Sequence, residues 1–253
     1  MDKFKERDLR LSLILGKPFA YEGFTLTPKT INQVYDIGYS EFYAHLSFLS
    51  MDRDDFTKTM HGSEDAISFK LAAKELSVLE LYMLFCHDIE FMMHMTESLS
   101  VLLDVPKNEI LINRDLAVIE VLSNDDRKLI DSEMYDELVS LLLIQNVIKR
   151  IDEVAVEGEA TDKAKEIQDK IKAYEDKIKN KDTDESDTME LSDMISAVTA
   201  KSNTISKFNV GELTLYQLDN ELGKLSQIDR YYQSLEAAKW TEDIEIIHWT
   251  ERL

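Results

Sequence analysis

Apolar residues recur along this chain far more often at helical spacing than at strand spacing. Ile31, Val34, Tyr35, Phe42, Leu46 and Leu49 follow one helical face. Ahead of them Thr30-Ile31-Asn32-Gln33 fits a capping box, in which a hydroxyl and an amide satisfy orphan backbone N–H groups. The pattern predicts a helix over about 30–49, bent near Gly38. A second box, Ser77-Val78-Leu79-Glu80, opens an apolar stretch read as one long helix to Leu103, ending before Pro106. Behind Ser132 as a cap, Met134, Leu138, Leu141, Leu142, Gln145, Ile148 and Ile151 form a broad stripe. From Thr161 to Lys181, Ala164, Ile167, Ile171, Tyr174 and Ile178 alternate three and four apart among charges. That coiled-coil seam covers too few heptads for an independent dimer, and is expected to fold back as a hairpin on the preceding helix. Leu191, Met194, Ile195 and Val198 give a short helix capped by Ser192 or Thr188. Leu213 to Leu225, and then Ile228, Tyr231, Tyr232 and Leu235, predict two more, ending near Lys239.

Strand-like segments are few. Leu11–Leu15, Pro18–Tyr21 and Phe24–Thr27, with Glu22-Gly23 as a tight turn, suggest a β element over 9–28. Glu109–Ile112 and Ala117–Val121 suggest a second short hairpin, and Asp52–Ser63 reads as a loop or a short helix. Seven Gly and three Pro leave little material for the turns of an all-β fold. The expected fold is mainly α: a helical bundle with one or two short β-hairpins and a helical hairpin/coiled-coil insertion. Residues 1–130 form the hairpin and helical core, 131–181 the helical hairpin, 182–190 an acidic linker, and 191–253 a C-terminal helical domain.

Charge narrows the functional classes. The chain carries 29 Lys+Arg against 50 Asp+Glu, a formal net charge of −21, which disfavours nucleic-acid backbones and anionic membranes as partners. Its one cysteine, Cys86, excludes an internal disulfide and points to a reducing compartment, the cytoplasm. The N-terminal residues mix charges of both signs without a cleavage signature, so no signal peptide is expected. Glu80, Asp88, Glu90 and Glu97 interrupt the apolar stretch at 78–103, which therefore reads as a buried soluble helix rather than a membrane span.

Chemical motifs are sparse. His87, Glu90, His94 and Glu97 lie three, four and three apart, on one face of the expected helix, in a pattern that could serve a divalent metal. The other histidines, His45, His61 and His248, sit in no Glu-x-x-His pattern, so the stripe reads first as the polar edge of a buried helix. Met83, Met92, Met93 and Met95 crowd the same stretch, as core filler or as an adaptable binding surface. Cys86 and His87 point about 100° apart on a helix and make no dyad. No Gly-x-Ser-x-Gly and no phosphate-binding glycine loop is present. The acidic run at 159–190 could imitate a nucleic-acid backbone, but interspersed lysines weaken that reading. No catalytic residue, cofactor or metal ligand is therefore assigned.

Two stretches carry a resemblance: Leu138 to Val147, and above all Phe208-Asn209-Val210-Gly211-Glu212-Leu213-Thr214-Leu215-Tyr216-Gln217-Leu218 through Tyr231-Tyr232 to His248-Trp249. They resemble tail-region proteins of phages infecting Gram-positive bacteria, in which an apolar-Thr-apolar-Tyr-Gln segment precedes an amphipathic helix and a late Trp. The segment Leu13–Gly38 is compatible with the same group. Many such proteins are tail assembly chaperones, which keep the tape measure protein soluble while the tail tube forms. The resemblance implies a non-enzymatic factor of the host cytoplasm with the tape measure and tail tube proteins as partners. A structural tail or baseplate component is the alternative, and a metal-binding protein using His87, Glu90 and His94 a second one. Client contacts are expected at Tyr216, Tyr231, Trp240 and Trp249, because aromatic side chains concentrate interface energy.

Overall fold

A computed structural model describes residues 3–59, 73–123, 126–147 and 190–240. The coiled-coil seam, the linker at 182–189 and Trp249 lie outside the described residues. Those that are described form nine helices and two small antiparallel sheets, so the fold is mainly α.

The chain opens with α1 (Lys3–Ile14). A strand was expected at Leu11–Leu15, but Leu9 and Leu13, four apart, are both buried and set a helical period. Strands β1 (Phe19–Tyr21) and β2 (Phe24–Leu26) pair as the expected hairpin. Its turn places Glu22 at φ 44° and Gly23 at φ 82°, the positive pair that matches strand twist in a two-residue loop.

Helices α2 (Ile31–Ile37) and α3 (Tyr39–Leu49) meet at Gly38, whose φ of 102° breaks the expected helix. The capping box at Thr30 is formed: Gln33 N–H donates to Thr30 Oγ1 (3.3 Å), and Thr30 N–H donates to Gln33 Oε1 (2.9 Å). Helix α4 (Arg53–Thr59) follows.

The long helix expected at 78–103 is two: α5 (Val78–Phe85), opened by the Ser77 capping box, and α6 (Ile89–Leu103). Asp88 causes the break, because its carboxylate accepts from Glu90 N–H (2.8 Å) and restarts the helix as an N-cap. The second hairpin is a three-stranded sheet, β3 (Ile110–Asn113), β4 (Val118–Ser123) and β5 (Asp126–Ile130). Charged Asp126-Arg127-Lys128 hid β5, yet Ile130 pairs with Ile119 and is fully buried. On the outer face Glu120 sits between Leu111 and Leu129 and pairs with Arg127.

Helix α7 (Ser132–Gln145) is capped by Asp131 rather than Ser132, the carboxylate accepting from Met134 N–H at 3.0 Å. After residue 190 come α8 (Leu191–Lys201), with Glu190 rather than Ser192 or Thr188 at the N-cap, and α9 (Leu215–Ala238). The two helices expected over 213–239 are thus one, because no Gly or Pro stop interrupts the joining residues in a way that outweighs continued i to i−4 bonding.

One core joins these elements. Tyr82, Phe56, Phe48 and Tyr135 pack ring to ring at its centre, with Tyr82 centroids 4.8 Å from Phe56 and 5.5 Å from Tyr135. Both tyrosine hydroxyls serve the C-terminal end of α3, where carbonyls lack helical partners. Tyr82 donates to Phe48 C=O, and Tyr135 donates to Leu49 C=O at 3.3 Å. Val198, Val210, Leu215 and Leu218 belong to the same core, so 190–240 packs directly on the N-terminal elements.

The junction is specific. Thr214 N–H donates to Gln217 Oε1 (2.9 Å) and Gln217 N–H to Thr214 Oγ1 (3.2 Å), a second Thr-x-x-Gln box. An antiparallel bridge joins Thr30 to Thr214, and Ile31 N–H donates to Leu213 C=O (2.8 Å). Gln217 also donates to Ile14 C=O (3.0 Å), fastening the end of α1. Thr214→Ala is expected to cost about 1–2 kcal/mol in urea unfolding, with Thr214→Ser close to wild type. Thr30→Ala and Thr214→Ala combined are expected to depart from additivity, because the two boxes touch.

Candidate functional site

Of the aromatic residues expected to face a client, Tyr216 and Tyr231 are carried by α9, and Trp240 follows its last residue, Ala238. Leu215 and Leu218 are buried near the start of α9, whereas no described side chain from Asp219 onward is fully buried. Tyr216 lies in the first turn, half-buried against the core. Tyr231 is half-buried about 22 Å further along the axis, at 1.5 Å per residue. Its ring meets that of Tyr232 at 5.7 Å between centroids. Tyr232 is 61% and Trp240 85% exposed. Tyr231 and Tyr232 therefore share the distal end of α9, with Trp240 just beyond it, while Tyr216 belongs to the body.

Lys201 at the end of α8 pairs with Asp229 and props this distal part. Phe208, in the loop before α9, is fully exposed and was not singled out from the sequence. Its only signal was a large apolar residue among the turn formers Ser206 and Asn209, which bond to each other through Asn209 Oδ1.

The His87 stripe does not assemble. His87 leaves the helical face at the break between α5 and α6, and its Nδ1 lies 2.9 Å from Arg114 Nη1. Glu97 pairs with Lys107. His94 packs against Phe48 and His45, with centroids at 4.4 and 5.5 Å. Among the described residues no group of three or more His, Cys, Asp and Glu could hold a metal ion. The methionines divide as well: Met83 and Met95 are buried in the core, Met92 is half-buried and Met93 is 63% exposed. Burial pushes the Cys86 thiol up to about 11, against the opposing pull of Arg114, so it stays protonated and unreactive near neutral pH.

His45 is the buried titratable group of this region. Ser98 Oγ donates to His94 C=O (2.8 Å), which leaves its lone pair for an Nδ1–H of His45 at 3.0 Å. Burial, and then the charge of His94, hold the His45 imidazole below its ordinary range; Glu97 and Glu41 act in the opposite sense, and Lys107 adds to the lowering.

Residues 179–253 match the family model described as YomV second domain, so the C-terminal third of the chain is similar to a phage-type domain. No match was found among curated proteins or among solved structures. No helix among the described residues is long and apolar enough to cross a membrane.

Because the folded state resists protonating His45, the unfolded chain binds more protons below its ordinary value near 6.5. Stability is then expected to fall as pH drops from about 6.5 toward the depressed folded value, by at most ~1.4 kcal/mol per pH unit from this group. Above that window His45 is neutral in both states and contributes no slope. Urea unfolding near pH 7 and about pH 5.5 checks this, and His45→Asn, which keeps a donor toward Ser98, is expected to flatten the dependence.

Proposed function

We propose that this protein is a non-enzymatic phage tail assembly factor, a chaperone that holds the tape measure protein soluble in the host cytoplasm while the tail tube forms. The observation that carries this reading is the set of large apolar side chains kept in solvent within the segment that matches a phage-type domain: Phe208, Tyr232 and Trp240. Exposed aromatic side chains offer contact area of the kind that a binder of apolar segments requires. The net charge of −21 keeps such a protein, and a complex built on it, dispersed.

The chemistry of the other regions fits a protein without catalysis of its own. The single thiol is buried, and the histidines of the stripe are spent on Arg114 and Phe48.

Co-expression with the tape measure protein encoded in the same genome tests the reading. The client is expected in the soluble fraction, in complex with this chain, and Trp240→Ser with Tyr232→Ser is expected to reduce its recovery several-fold. Equal recovery of free client with and without this chain would sink the proposal. Mass spectrometry of purified particles checks the role: a chaperone is expected to be scarce there, and a fixed copy number would favour a structural tail or baseplate component.

A further inference from the structure

Away from the distal end of α9, the join between the N-terminal helices and α8 leaves a second apolar surface open. Two hollows, of about 440 and 260 Å³, adjoin across Tyr39, Glu190 and Leu191, which line both. The larger continues over Tyr43 and Met194, and the smaller over Tyr35 and Ile195. Tyr35 is 82% exposed and Tyr39 43%, so two aromatic rings stand in solvent along one trough.

Among the described residues that line the trough, the charges share one sign. Glu190 and Asp219 are the charged side chains of the lining, and α2, α3 and α8 add the exposed Asp36, Glu41 and Asp193. Neither α2 nor α3 carries a Lys or Arg, and α8 carries one only at Lys201, which is paired with Asp229.

We infer that this trough is the docking site for a cationic amphipathic helix of a protein partner. Apolar residues at i, i+3 or i+4, and i+7 of such a helix would fill the two hollows in succession, with Tyr35 and Tyr39 as the anchors. Flanking Lys or Arg would meet Glu190 and Asp219 on the lining, with Asp36, Glu41 and Asp193 elsewhere on the same helices, each exposed pair adding little alone but all of them steering encounter in the same sense. The same carboxylates reject acidic helices and anionic lipid surfaces. A second copy of this chain is a poor occupant, because each copy brings a net charge of −21. The inference deepens the chaperone reading by naming the chemistry of the client segment, and rests on that reading only for the partner's identity.

A dye-labelled Leu/Lys peptide of about four helical turns, its Leu at i, i+3, i+4 and i+7, titrated onto the full chain by fluorescence anisotropy, tests the site directly. Micromolar binding is expected for it, and at least tenfold weaker binding for a Leu/Glu twin. Tyr35→Ala changes no charge and removes a solvent-exposed ring, and is expected to weaken the Leu/Lys peptide about tenfold, which is about 1.4 kcal/mol. Glu190→Lys is expected to weaken it as well. Leu129→Ala, on the outer face of the three-stranded sheet, is expected to change nothing. Circular dichroism melts of each variant verify folding.

Equal affinity in wild type and Tyr35→Ala would mean that charge alone holds the peptide, and would overturn the inference. Absence of Leu/Lys binding would overturn it too. A wild-type dimer that Tyr35→Ala disperses in sedimentation would make a second copy the occupant. Tenfold tighter peptide binding after Ile167, Ile171 and Ile178 are changed to Ser would give the trough to the chain's own residues. Either result replaces the partner helix. Recovery of soluble client by Tyr35→Ala at the wild-type level separates this inference from the chaperone reading, which would then stand without it.

Discussion

Two Thr-x-x-Gln boxes set side by side hold the fold closed. Each satisfies the first N–H groups of its own helix, and a single antiparallel bridge between Thr30 and Thr214 places the boxes against one another. A helix start left unsatisfied at such a join would bury donors without partners, at a cost of about 1–3 kcal/mol for each. With the boxes formed, the starts of α2 and α9 come together without that penalty. Gln217 reaches further, to Ile14 C=O, so three parts of the chain are fastened at one point. The apolar-Thr-apolar-Tyr-Gln segment behind the phage-tail resemblance is this structural knot, with Tyr216 half-buried beside it.

A comparable economy operates at the centre of the core. The last turn of α3 ends among aromatic rings. Tyr82 from α5 and Tyr135 from α7 bring hydroxyls to its carbonyls while their rings stack with Phe48, Phe56 and one another. Each tyrosine thus contributes apolar area and a required donor together. Phenylalanine at Tyr135 would keep the packing and remove the donor to Leu49 C=O, whereas at Tyr82 it would leave Phe48 C=O with Met51 N–H alone, at 3.4 Å.

These two constraints shape the surface available to partners. Because the junction consumes the first turns of α9, the helix's remaining turns project with their aromatic residues only partly covered. Because the junction also sets α8 beside α2 and α3, a trough with Tyr35 and Tyr39 on its walls is left between them. The acidic excess that first served to exclude nucleic acid and membrane now has a local expression there, in Glu190 and Asp219 on the lining of the trough.

The amino-acid sequence by itself determined the local starts and stops. The boxes at Thr30 and Ser77, the break at Gly38 and the Glu22-Gly23 turn depend on groups within a few residues of one another, and such interactions are written in consecutive letters. It also determined the mainly α class, since helical spacing fills most of the described chain. Asp88 belongs with the local starts and stops: its carboxylate caps Glu90 N–H two residues on, divides one apolar run into α5 and α6 and so carries His87 away from Glu90 and His94, a local signal that the continuous apolar period obscures. Tertiary structure decided the rest. Strand β5 exists because Ile130 finds Ile119 across the sheet, a partner that no local period announces. The sequence likewise could not separate Tyr216 from Tyr231 and Trp240, since burial of an aromatic ring depends on what other segments bring to it. Local hydrogen bonding is encoded along the chain, whereas burial and proximity arise only when distant segments share a core.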